Sequence, residues 1–426
     1  MPATAQDVAI VGGNRIPFAR AGGAYVQATN QDMLTAALDG LVARFGLAGQ
    51  RLGEVAAGAV LQHSGDVNLT RECVLGSALD PATPAYDLQQ ACATGLQTAV
   101  TVGNKIAVGQ IEAGVAGGVD TISDAPIELN DDLRRVLLAV QRAKRPWDRA
   151  KALGRLRPGQ IVPQQPRIAE PRTGLSMGEH GARTAAAWGI GRAEQDELAA
   201  ASHHRLAAAY ERGLFDDLIT PYLGLARDQN LRPNTDTDKL AKLPPVFGTG
   251  DDATMTAGNS TALSDGAATV LLASRSWAEA RDLPVLARLV DAEAAAVDYV
   301  SGEEGLLMAP VYAVPRLLDR NGLSLADFDV VEIHEAFAST VLATLAAWQD
   351  AAYCKERLGR DGPLGTVDRE RLNPAGSSLA AGHPFAATGA RILATAAALL
   401  AERGGGRALI SICAAGGNGL TAIVQR

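Results

Sequence analysis

The sequence lacks any apolar run that approaches the ~20 residues needed to span a bilayer. Its opening residues, Met-Pro-Ala-Thr-Ala-Gln-Asp, lack the positively charged region with which an export signal begins. It also lacks an excess of positive charge: the net charge is -8 at pH 7, whereas a nucleic-acid-binding protein needs a basic surface that displaces counterions. We therefore expect a cytoplasmic protein with no membrane span and no nucleic-acid partner.

Cysteine is scarce as well, with four residues in 426, and no two of them form a Cys-x-x-Cys pair. This spacing argues against a disulfide framework and against a zinc site, so we predict reduced thiols and no bound metal. Cys73 and Cys354 are interpreted as small buried hydrophobic residues. The first strand-like segment runs into Val11-Gly12-Gly13-Asn14-Arg15 and not into Gly-x-Gly-x-x-Gly, so it offers no dinucleotide site.

Length and composition permit a large buried core, since 47% of the 426 residues are hydrophobic. At roughly 150 residues per domain, a chain of this length predicts two or three domains or one fused pair. Strand-like and helix-like segments alternate along the chain, which favours an α/β fold with parallel strands. The predicted strands cover residues 7–11, 55–61, 111–119, 329–334, 409–413 and 420–424, and the predicted helices cover 32–45, 92–108, 306–318, 336–348 and 387–400.

Two parts of the chain show a faint internal duplication. Each has an alanine-rich helix, then a strand and a glycine pair, which is Gly117-Gly118 in one part and Gly416-Gly417 in the other. Residues 121–250 do not follow this pattern, and we predict that they form an insertion projecting from the core. Within the insertion, residues 134–157 hold nine basic side chains and a single acidic one, Asp148. This basic segment suits a solvated helix face, a phosphate clamp, a partner surface or a contact with an anionic membrane.

Two cysteines and two histidines lie in settings that favour catalysis. Cys92 comes at the start of a predicted helix, whose dipole and free N–H groups would lower the pKa of the thiol. His334 and Cys413 end predicted strands, at the edge where ligands gather in open α/β sheets. His383 lies in a Gly-His-Pro turn before another predicted helix. Two thiols and two imidazoles suit an acyl transfer that also needs a second base.

These residues and their surroundings resemble the thiolase family. Thiolases carry a nucleophilic cysteine at a buried helix start, an Asn- or His-Glu-Ala-Phe motif, a Gly-His-Pro motif and a C-terminal cysteine followed by glycines; all four occur here in that order. The resemblance covers almost the whole chain. It implies a thiolase fold, with two similar βαβαβαββ halves in a five-layered αβαβα core. The N-terminal half would be residues 1–120 plus 251–280, the loop domain 121–250, and the C-terminal half 281–426.

The resemblance also implies roles for the four residues. Cys92 would take the acyl group as a thioester, and His383 would deprotonate Cys92 and later help to hold the enolate oxygen. His334 would order a water or donate a hydrogen bond at that oxyanion site, and Cys413 would exchange the proton at the α-carbon of the second acyl-CoA. The N–H groups of Cys92 and Ala415 would cradle the tetrahedral oxyanion. Many thiolases have glycine where Ala415 stands, and a left-handed alanine there would cost about 1 kcal/mol.

Substrates and partners follow from the same resemblance. Met177, Ser260 and Thr261 would contact the pantetheine or acyl part of the substrate, and Arg232 would lie near the CoA nucleotide. CoA is then a substrate or product, and no separate cofactor is expected. A homodimer or a dimer of dimers is expected, and the strand at 111–119 could pair across a two-fold axis.

His-Glu-Ala-Phe in place of Asn-Glu-Ala-Phe, together with the basic insertion, is typical of the β-subunits of trifunctional fatty-acid oxidation complexes and their bacterial relatives. A hydratase–dehydrogenase subunit and a membrane surface are therefore the candidates to meet residues 134–157. The expected reaction is cleavage of 3-oxoacyl-CoA by CoA, or condensation of two acetyl-CoA to acetoacetyl-CoA. The alternatives are a decarboxylating condensing enzyme of the same fold, a catalytically silent thiolase-like scaffold or binding subunit, and a metal-binding protein.

Overall fold

The computed structural model describes residues 6–164, 169–250 and 253–426. Within them, strands cover Val8–Arg15 (β1), Ala19–Arg20 (β2), Glu54–Ala57 (β3), Ala85–Asp87 (β4), Ala113–Asp120 (β5), Pro245–Phe247 (β6), Met255–Thr256 (β7), Ser264–Ser274 (β8), Ala287–Ala296 (β9), Val330–Ile333 (β10), Arg407–Ala414 (β11) and Asn418–Gln425 (β12). Helices cover Asn30–Arg44 (α1), Leu69–Gly76 (α2), Thr94–Ala107 (α3), Asp131–Arg142 (α4), Pro146–Leu153 (α5), Met177–Ala187 (α6), Arg192–Glu211 (α7), Thr237–Leu240 (α8), Arg275–Glu279 (α9), Ala309–Asn321 (α10), Ala338–Gln349 (α11), Ala351–Leu358 (α12), Ser378–Ala381 (α13) and Ala387–Arg403 (α14).

One mixed sheet dominates the fold, with the strand order β10-β11-β12-β9-β1-β8-β5-β3-β4 and with β2 paired to β8. Only β10–β11, β3–β4 and β3–β5 pair in parallel among the described strands. The prediction of parallel strands is therefore wrong for most of the sheet. The reason is that β8 runs antiparallel to both β1 and β5, and β12 runs antiparallel to both β9 and β11. A short turn joins β11 to β12, and a parallel return would need a crossover connection of a dozen or more residues.

The predicted five-layered αβαβα core is confirmed. Helices α3 and α14 pack against each other and lie against strands of both halves of the sheet. On the far side of the first half, α1 packs on β1 and β8 and is flanked by α2. On the far side of the second half, α10 packs on β9, β11 and β12. The two halves are joined by a short pairing of Val8–Ile10 with residues 287–289, so their strands form one continuous sheet.

The central helix layer consists largely of small side chains. Because they let α3 and α14 approach closely, the segments that carry Cys92 and His383 come together. Ala99, Ala390 and Ala394 belong to one buried cluster between the two halves of the sheet. A Cβ on Gly95 of α3 would lie 2.7 Å from the nitrogen of Ala390, so α3 and α14 approach too closely there for any larger residue. The helices that follow Cys92 and His383 are therefore in direct contact.

Most predicted elements occur within a few residues of their expected positions, but six of the described strands were not predicted. The two longest of these are β8, an eleven-residue strand buried along its whole length, and the ten-residue β9. Strand β8 is central to the first half of the sheet because it separates β1 from β5.

The predicted insertion lies between β5 and β8, where the chain forms α4 to α8 and the two-stranded pair β6–β7. The domain limits remain predictions. Residues 1–5 and the predicted boundary at 251–252 lie outside the described residues, and so do residues 165–168 of the insertion. In the part of the chain that is described, none of the helices has both the length and the apolar character needed to cross a bilayer.

Candidate active site

Cys92 lies in a tight turn between β4 and α3, two residues before the helix begins. The preceding residue, Ala91, has a φ of 46°, a left-handed conformation that costs alanine roughly 1–2 kcal/mol. The Thr94 side chain holds the turn, since its oxygen accepts a hydrogen bond from Gln90 N–H at 2.8 Å and its hydroxyl donates to the Ala91 carbonyl at 2.7 Å. The strained turn fixes where the thiol stands at the entrance to α3.

His383 is oriented toward this thiol from the opposite half of the molecule. Its Nε2 lies 3.1 Å from the Cys92 sulfur, and its Nδ1 lies 2.6 Å from the Thr388 hydroxyl in the first turn of α14. The backbone N–H of His383 donates to Ser264 Oγ at 3.2 Å. The preceding Gly382 has a φ of 99°, and a Cβ there would lie 2.3 Å from that same Ser264 oxygen. Glycine is therefore required at position 382 by both conformation and space.

His334 follows β10 directly, and its ring lies beside that of His383 with centroids 4.2 Å apart. Its Nδ1 lies 2.9 Å from Ser378 Oγ, whereas its Nε2 is buried and has no hydrogen-bond partner among the described residues. The Asn373 side chain fixes the end of β10 by bonding both the N–H and the carbonyl of Ile333. The His334 ring is therefore hydrogen-bonded through Nδ1, and its Nε2 has no partner within the described residues.

Cys413 lies near the end of β11 and is 4% exposed within an apolar cluster that includes Met255 and Phe337. Burial raises the pKa of the Cys413 thiol, and the neighbouring Cys92 raises it further. In the turn that follows, the N–H of Ala415 donates toward the Cys92 sulfur. The positive φ values of this turn fall on glycines 416 and 417. Ala415 is not among the described residues with a positive φ, so the expected left-handed penalty does not arise.

Burial decides the charge states of the site. Burial and the nearby Asp120 raise the pKa of the Cys92 thiol to about 12, although the N–H groups of Ala415 and of Cys92 itself act in the opposite direction. The expectation that a helix start lowers this pKa is therefore wrong, because loss of solvent outweighs the local donors. Burial and the charge of Arg391 lower the pKa of His383 to about 3. The resting pair is a neutral thiol beside a neutral imidazole.

The residues predicted to contact substrate fall into two groups. Met177 packs against the apolar cluster around Cys413. Ser260 bridges to Phe337, and the Thr261 N–H donates to the Ala336 carbonyl, so both border the His-Glu-Ala-Phe segment. Arg232 is exposed, and its N–H donates to His203 at 3.2 Å. The structure thus places Met177, Ser260 and Thr261 against the segments that carry His334 and Cys413, and Arg232 on the surface.

Several residues that shape the site were not predicted from the sequence. Thr388, Ser378 and Ser264 make the hydrogen bonds that orient the two imidazoles and the Gly-His turn. Asp120 is fully buried and accepts N–H groups of residues 60, 61 and 386, which ties β5 to the start of α14. Thr388 could have been predicted as a partner of His383, because its hydroxyl lies in the first helical turn after that histidine. The others become neighbours only through the tertiary fold.

Three of the site's side chains have the chemistry of metal ligands, and the absence of a bound metal stays a prediction. One ligand atom each of Cys92, His334 and His383 lie within 4.8 Å of one another. Spacing along the chain gave no sign of this group because its members lie on separate segments. One thiol and two imidazoles are donors that a divalent cation such as Zn²⁺ accepts.

Comparison with known proteins agrees with this geometry. The family profiles described as thiolase N-terminal domain and thiolase C-terminal domain match residues 8–276 and 283–426. The 3-ketoacyl-CoA thiolase of Yersinia enterocolitica is 38% identical over 424 residues, covering 98% of this chain and 96% of that relative. Human mitochondrial 3-ketoacyl-CoA thiolase in complex with CoA superposes with a TM-score of 0.81 at 29% identity, covering 99% of this chain and 98% of the other. The acetyl-CoA acetyltransferase of Bacillus anthracis gives a TM-score of 0.82 at 29% identity, with 99% of each chain covered.

Proposed function

The chain belongs to the thiolase family, and on that premise we propose that it is a 3-ketoacyl-CoA thiolase with Cys92 as its nucleophile. As a thiolase it is an acyl-CoA C-acyltransferase. The observation that carries the proposal is the 3.1 Å separation between Cys92 Sγ and His383 Nε2. A nucleophile lies within hydrogen-bond reach of a base, and Thr388 orients that base in turn.

Cleavage begins when the Cys92 sulfur attacks the C3 carbonyl carbon of 3-oxoacyl-CoA and the thiol proton passes to Nε2 of His383. The carbonyl oxygen becomes an oxyanion, and the N–H groups of Cys92 and Ala415 are the donors placed to stabilise it. The C2–C3 bond then breaks, so the acyl group stays on Cys92 and the electron pair leaves with C2 as an enolate of acetyl-CoA. The Cys413 thiol protonates C2, and His334 donates at the enolate oxygen.

The second half returns the protein to its starting state. CoA enters as a thiol, gives its proton to the Cys413 thiolate and attacks the acyl group on Cys92. The Cys92 sulfur leaves and takes back the proton held by His383. Run in reverse, the same steps condense two acetyl-CoA to acetoacetyl-CoA. A decarboxylating condensing enzyme would have no use for a second thiol at the position of Cys413.

Acyl labelling tests this proposal directly. Incubation with acetyl-CoA should add one acetyl group on Cys92, detected by peptide mass spectrometry. Cys92→Ser should remove the label and nearly all thiolysis of acetoacetyl-CoA, because an alcohol is a far weaker nucleophile without strong activation. Cys73→Ser is the matched control, since Cys73 is a buried thiol outside the site. A label on any residue other than Cys92 would reject the proposed role, and rates with longer 3-oxoacyl-CoA would define the chain length.

Substrate contacts follow from the surroundings of the four residues. Met177 lies in the apolar cluster around Cys413 and suits the acyl or pantetheine part of the substrate. Ser260 Oγ is buried and has no hydrogen-bond partner within the described residues, so it is free to bond the pantetheine amide. Thr261 lies beside it, and the exposed guanidinium of Arg232 suits the phosphates of the CoA nucleotide.

A homodimer or a dimer of dimers remains our proposal, but not through the strand first considered. Strand β5 has β8 on one side and β3 on the other, so it has no free edge for a second copy. Strand β4 ends the sheet and is half-buried, which leaves a backbone edge to which a symmetry-related β4 can add. Light scattering that shows only a monomer at micromolar concentration would contradict this.

The basic segment 134–157 is proposed to face an anionic partner. Trp147 is 78% exposed and Leu137 41% exposed, so apolar side chains stand among the cations. Arg134 pairs with Asp131 at 2.7 Å, but most of the other cations of the segment lie on exposed positions. This combination suits a hydratase–dehydrogenase subunit or an anionic membrane better than a bare solvated helix.

Charge reversal of this segment separates the alternatives. Changing Arg142, Lys144, Arg145 and Arg149 to glutamate should leave KM for acetoacetyl-CoA nearly unchanged and abolish co-purification of a partner or binding to anionic liposomes. The charge-preserving set, with lysine and arginine exchanged at the same positions, is the control. A large rise in KM would make the segment a CoA clamp, and no change in any assay would leave it a solvated helix.

Two finer assignments also remain proposals. The His-Glu-Ala-Phe sequence around His334 supports placement in the branch of trifunctional-complex β-subunits. All four cysteines are free thiols, which fits a reducing compartment such as the cytoplasm.

A further inference from the structure

A buried arginine and two serines form a hydrogen-bonded group that meets His334 at Nδ1. Arg391 is 3% exposed and belongs to α14. Its guanidinium donates to Ser378 Oγ at 2.9 Å and to Ser377 Oγ at 3.2 Å. Because a guanidinium has no acceptor, the direction of these hydrogen bonds is fixed, and both serine oxygens accept.

The direction of the next hydrogen bond follows from the first. The Ser378 hydroxyl has one proton, and His334 Nδ1, at 2.9 Å, is the one group other than Arg391 that the described residues place at hydrogen-bond distance from it. If Nδ1 carried a proton, the Ser378 proton would have no acceptor, and leaving a buried donor unpaired costs about 1–3 kcal/mol. The Ser378 hydroxyl therefore donates to Nδ1, and the ring proton of neutral His334 is on Nε2.

We infer that Arg391 and Ser378 are positioning residues that lock His334 as its Nε2–H tautomer and so make it a hydrogen-bond donor at the reacting oxygen. The inference deepens the proposed function and rests on it for the identity of that oxygen. A separate observation agrees: Nε2 of His334 is buried with no partner, which suits a donor waiting for a substrate acceptor. The other tautomer would present a lone pair to a developing negative charge.

The charge of Arg391 contributes a second effect. Burial, His383 and Arg391 together lower the pKa of His334 well below its ordinary value. The ring is therefore neutral, and its tautomer matters, because a doubly protonated ring would donate from both nitrogens. Burial lowers the pKa of Arg391 to about 10, although the nearby Glu332 and Glu335 act in the opposite direction, so the guanidinium keeps its charge at neutral pH.

The first test reads the tautomer in the resting protein. The chain has six histidines, so a long-range ¹H–¹⁵N spectrum of ¹⁵N-histidine protein is tractable, and His334→Asn identifies the His334 signals. We expect the Nε2–H pattern in the unsubstituted protein and a mixture of tautomers in Ser378→Ala. Ser377→Ala is the matched control: it removes the same kind of Arg391 contact but does not touch His334, so the pattern should not change. An Nδ1–H pattern in the unsubstituted protein would overturn the inference.

The second test is a double-mutant cycle in thiolysis of acetoacetyl-CoA. Ser378→Ala should lower kcat about tenfold, part of the 10²–10³-fold loss typical when an oxyanion donor is deleted, with KM for CoA nearly unchanged. In the His334→Asn background the same change should lower kcat by less than about twofold, since an amide donor needs no tautomer control. Equal losses in both backgrounds would show a merely structural role for Ser378.

The two tests separate failure of the inference from failure of the proposed function. The spectrum needs no turnover, so it stands even if the substrate is different. Circular dichroism and the yield of acetyl-Cys92 in each variant report whether the fold and the first acylation step survive.

Discussion

The rings of His334 and His383 lie with centroids 4.2 Å apart and planes tilted by 48°. Burial lowers the pKa of both rings, and the positive charge of the buried Arg391 lowers it further. Two imidazolium ions at this distance would also repel each other. Both histidines are therefore neutral at physiological pH. Cys92 keeps its proton as well, so the thiol is activated only when substrate is in place and the proton can pass to His383.

Alkylation of Cys92 should show this charge state directly. Because burial raises the pKa of the thiol to about 12, the thiolate fraction at pH 7 is small and grows as pH rises. The rate of Cys92 modification by iodoacetamide, followed by peptide mass spectrometry, should increase about tenfold per pH unit from pH 7 to 9. A rate that is flat across this range would indicate a thiolate already formed at neutral pH.

Cys413→Ala should separate the two chemical steps. The variant keeps Cys92 and His383, so acetyl-CoA should still acetylate Cys92 to about one group per chain. Thiolysis of acetoacetyl-CoA should fall about 10²–10⁴-fold, the usual contribution of a positioned acid–base group. Rapid-quench labelling and steady-state rates check the two outcomes. Condensation of acetyl-CoA at the unsubstituted rate would exclude Cys413 as the second base.

Glu332 should make stability depend on pH. It is fully buried on β10, neither carboxyl oxygen has a hydrogen-bond partner within the described residues, and burial raises its pKa to about 8. A raised carboxyl pKa favours the protonated folded state, so its contribution is full below about pH 4.5 and is lost as pH rises toward 8.

Replacing Glu332 by glutamine should therefore flatten the fall of Tm between pH 5 and 8. Differential scanning calorimetry of Glu332→Gln and of the unsubstituted protein checks this across the range. Glu356→Gln, at an exposed position, is the control and should leave the profile unchanged. Identical profiles for Glu332→Gln and the unsubstituted protein would contradict the prediction.

Metal ions should inhibit thiolysis and should not activate it. Treatment with EDTA should leave thiolysis unchanged, because every proposed step uses side chains and backbone N–H groups alone. Micromolar Zn²⁺ should inhibit, because Cys92, His334 and His383 place ligand atoms within 4.8 Å of one another. If Zn²⁺ binds these three side chains, it should also protect Cys92 from iodoacetamide, and His334→Asn should weaken the inhibition. Loss of activity with EDTA, restored by a metal, would overturn the metal-free scheme.

The candidate site residues could be predicted from the sequence because they lie in short motifs. The segments around Cys92, His334, His383 and Cys413 each combine a reactive side chain with small residues, and this local signal does not depend on tertiary packing. Helix α14 and strand β10 were also predicted to within three residues, because an alanine-rich helix and a short apolar strand have distinct periodicities.

What the sequence did not predict depends on contacts between distant segments. Strand β8 is buried on both faces, so it has no alternation of polar and apolar residues to distinguish it from a buried helix. The pKa of Cys92 was predicted in the wrong direction because a helix start is a local feature, whereas burial of the thiol is a property of the assembled fold. Ser378 and Arg391 lie well away from His334 in sequence, and no pattern along the chain links them.

The position of β8 also bears on how the chain folds during synthesis. Strands β1 and β5 are not neighbours; each pairs with β8, which begins only at Ser264, after the whole insertion has left the ribosome. Until then both strands carry unpaired backbone edges, and such edges favour aggregation. Contacts over so long a separation also slow folding. We therefore expect fragments that end before Ser264 to aggregate, and the nascent chain to depend on chaperones until β8 closes the first half of the sheet.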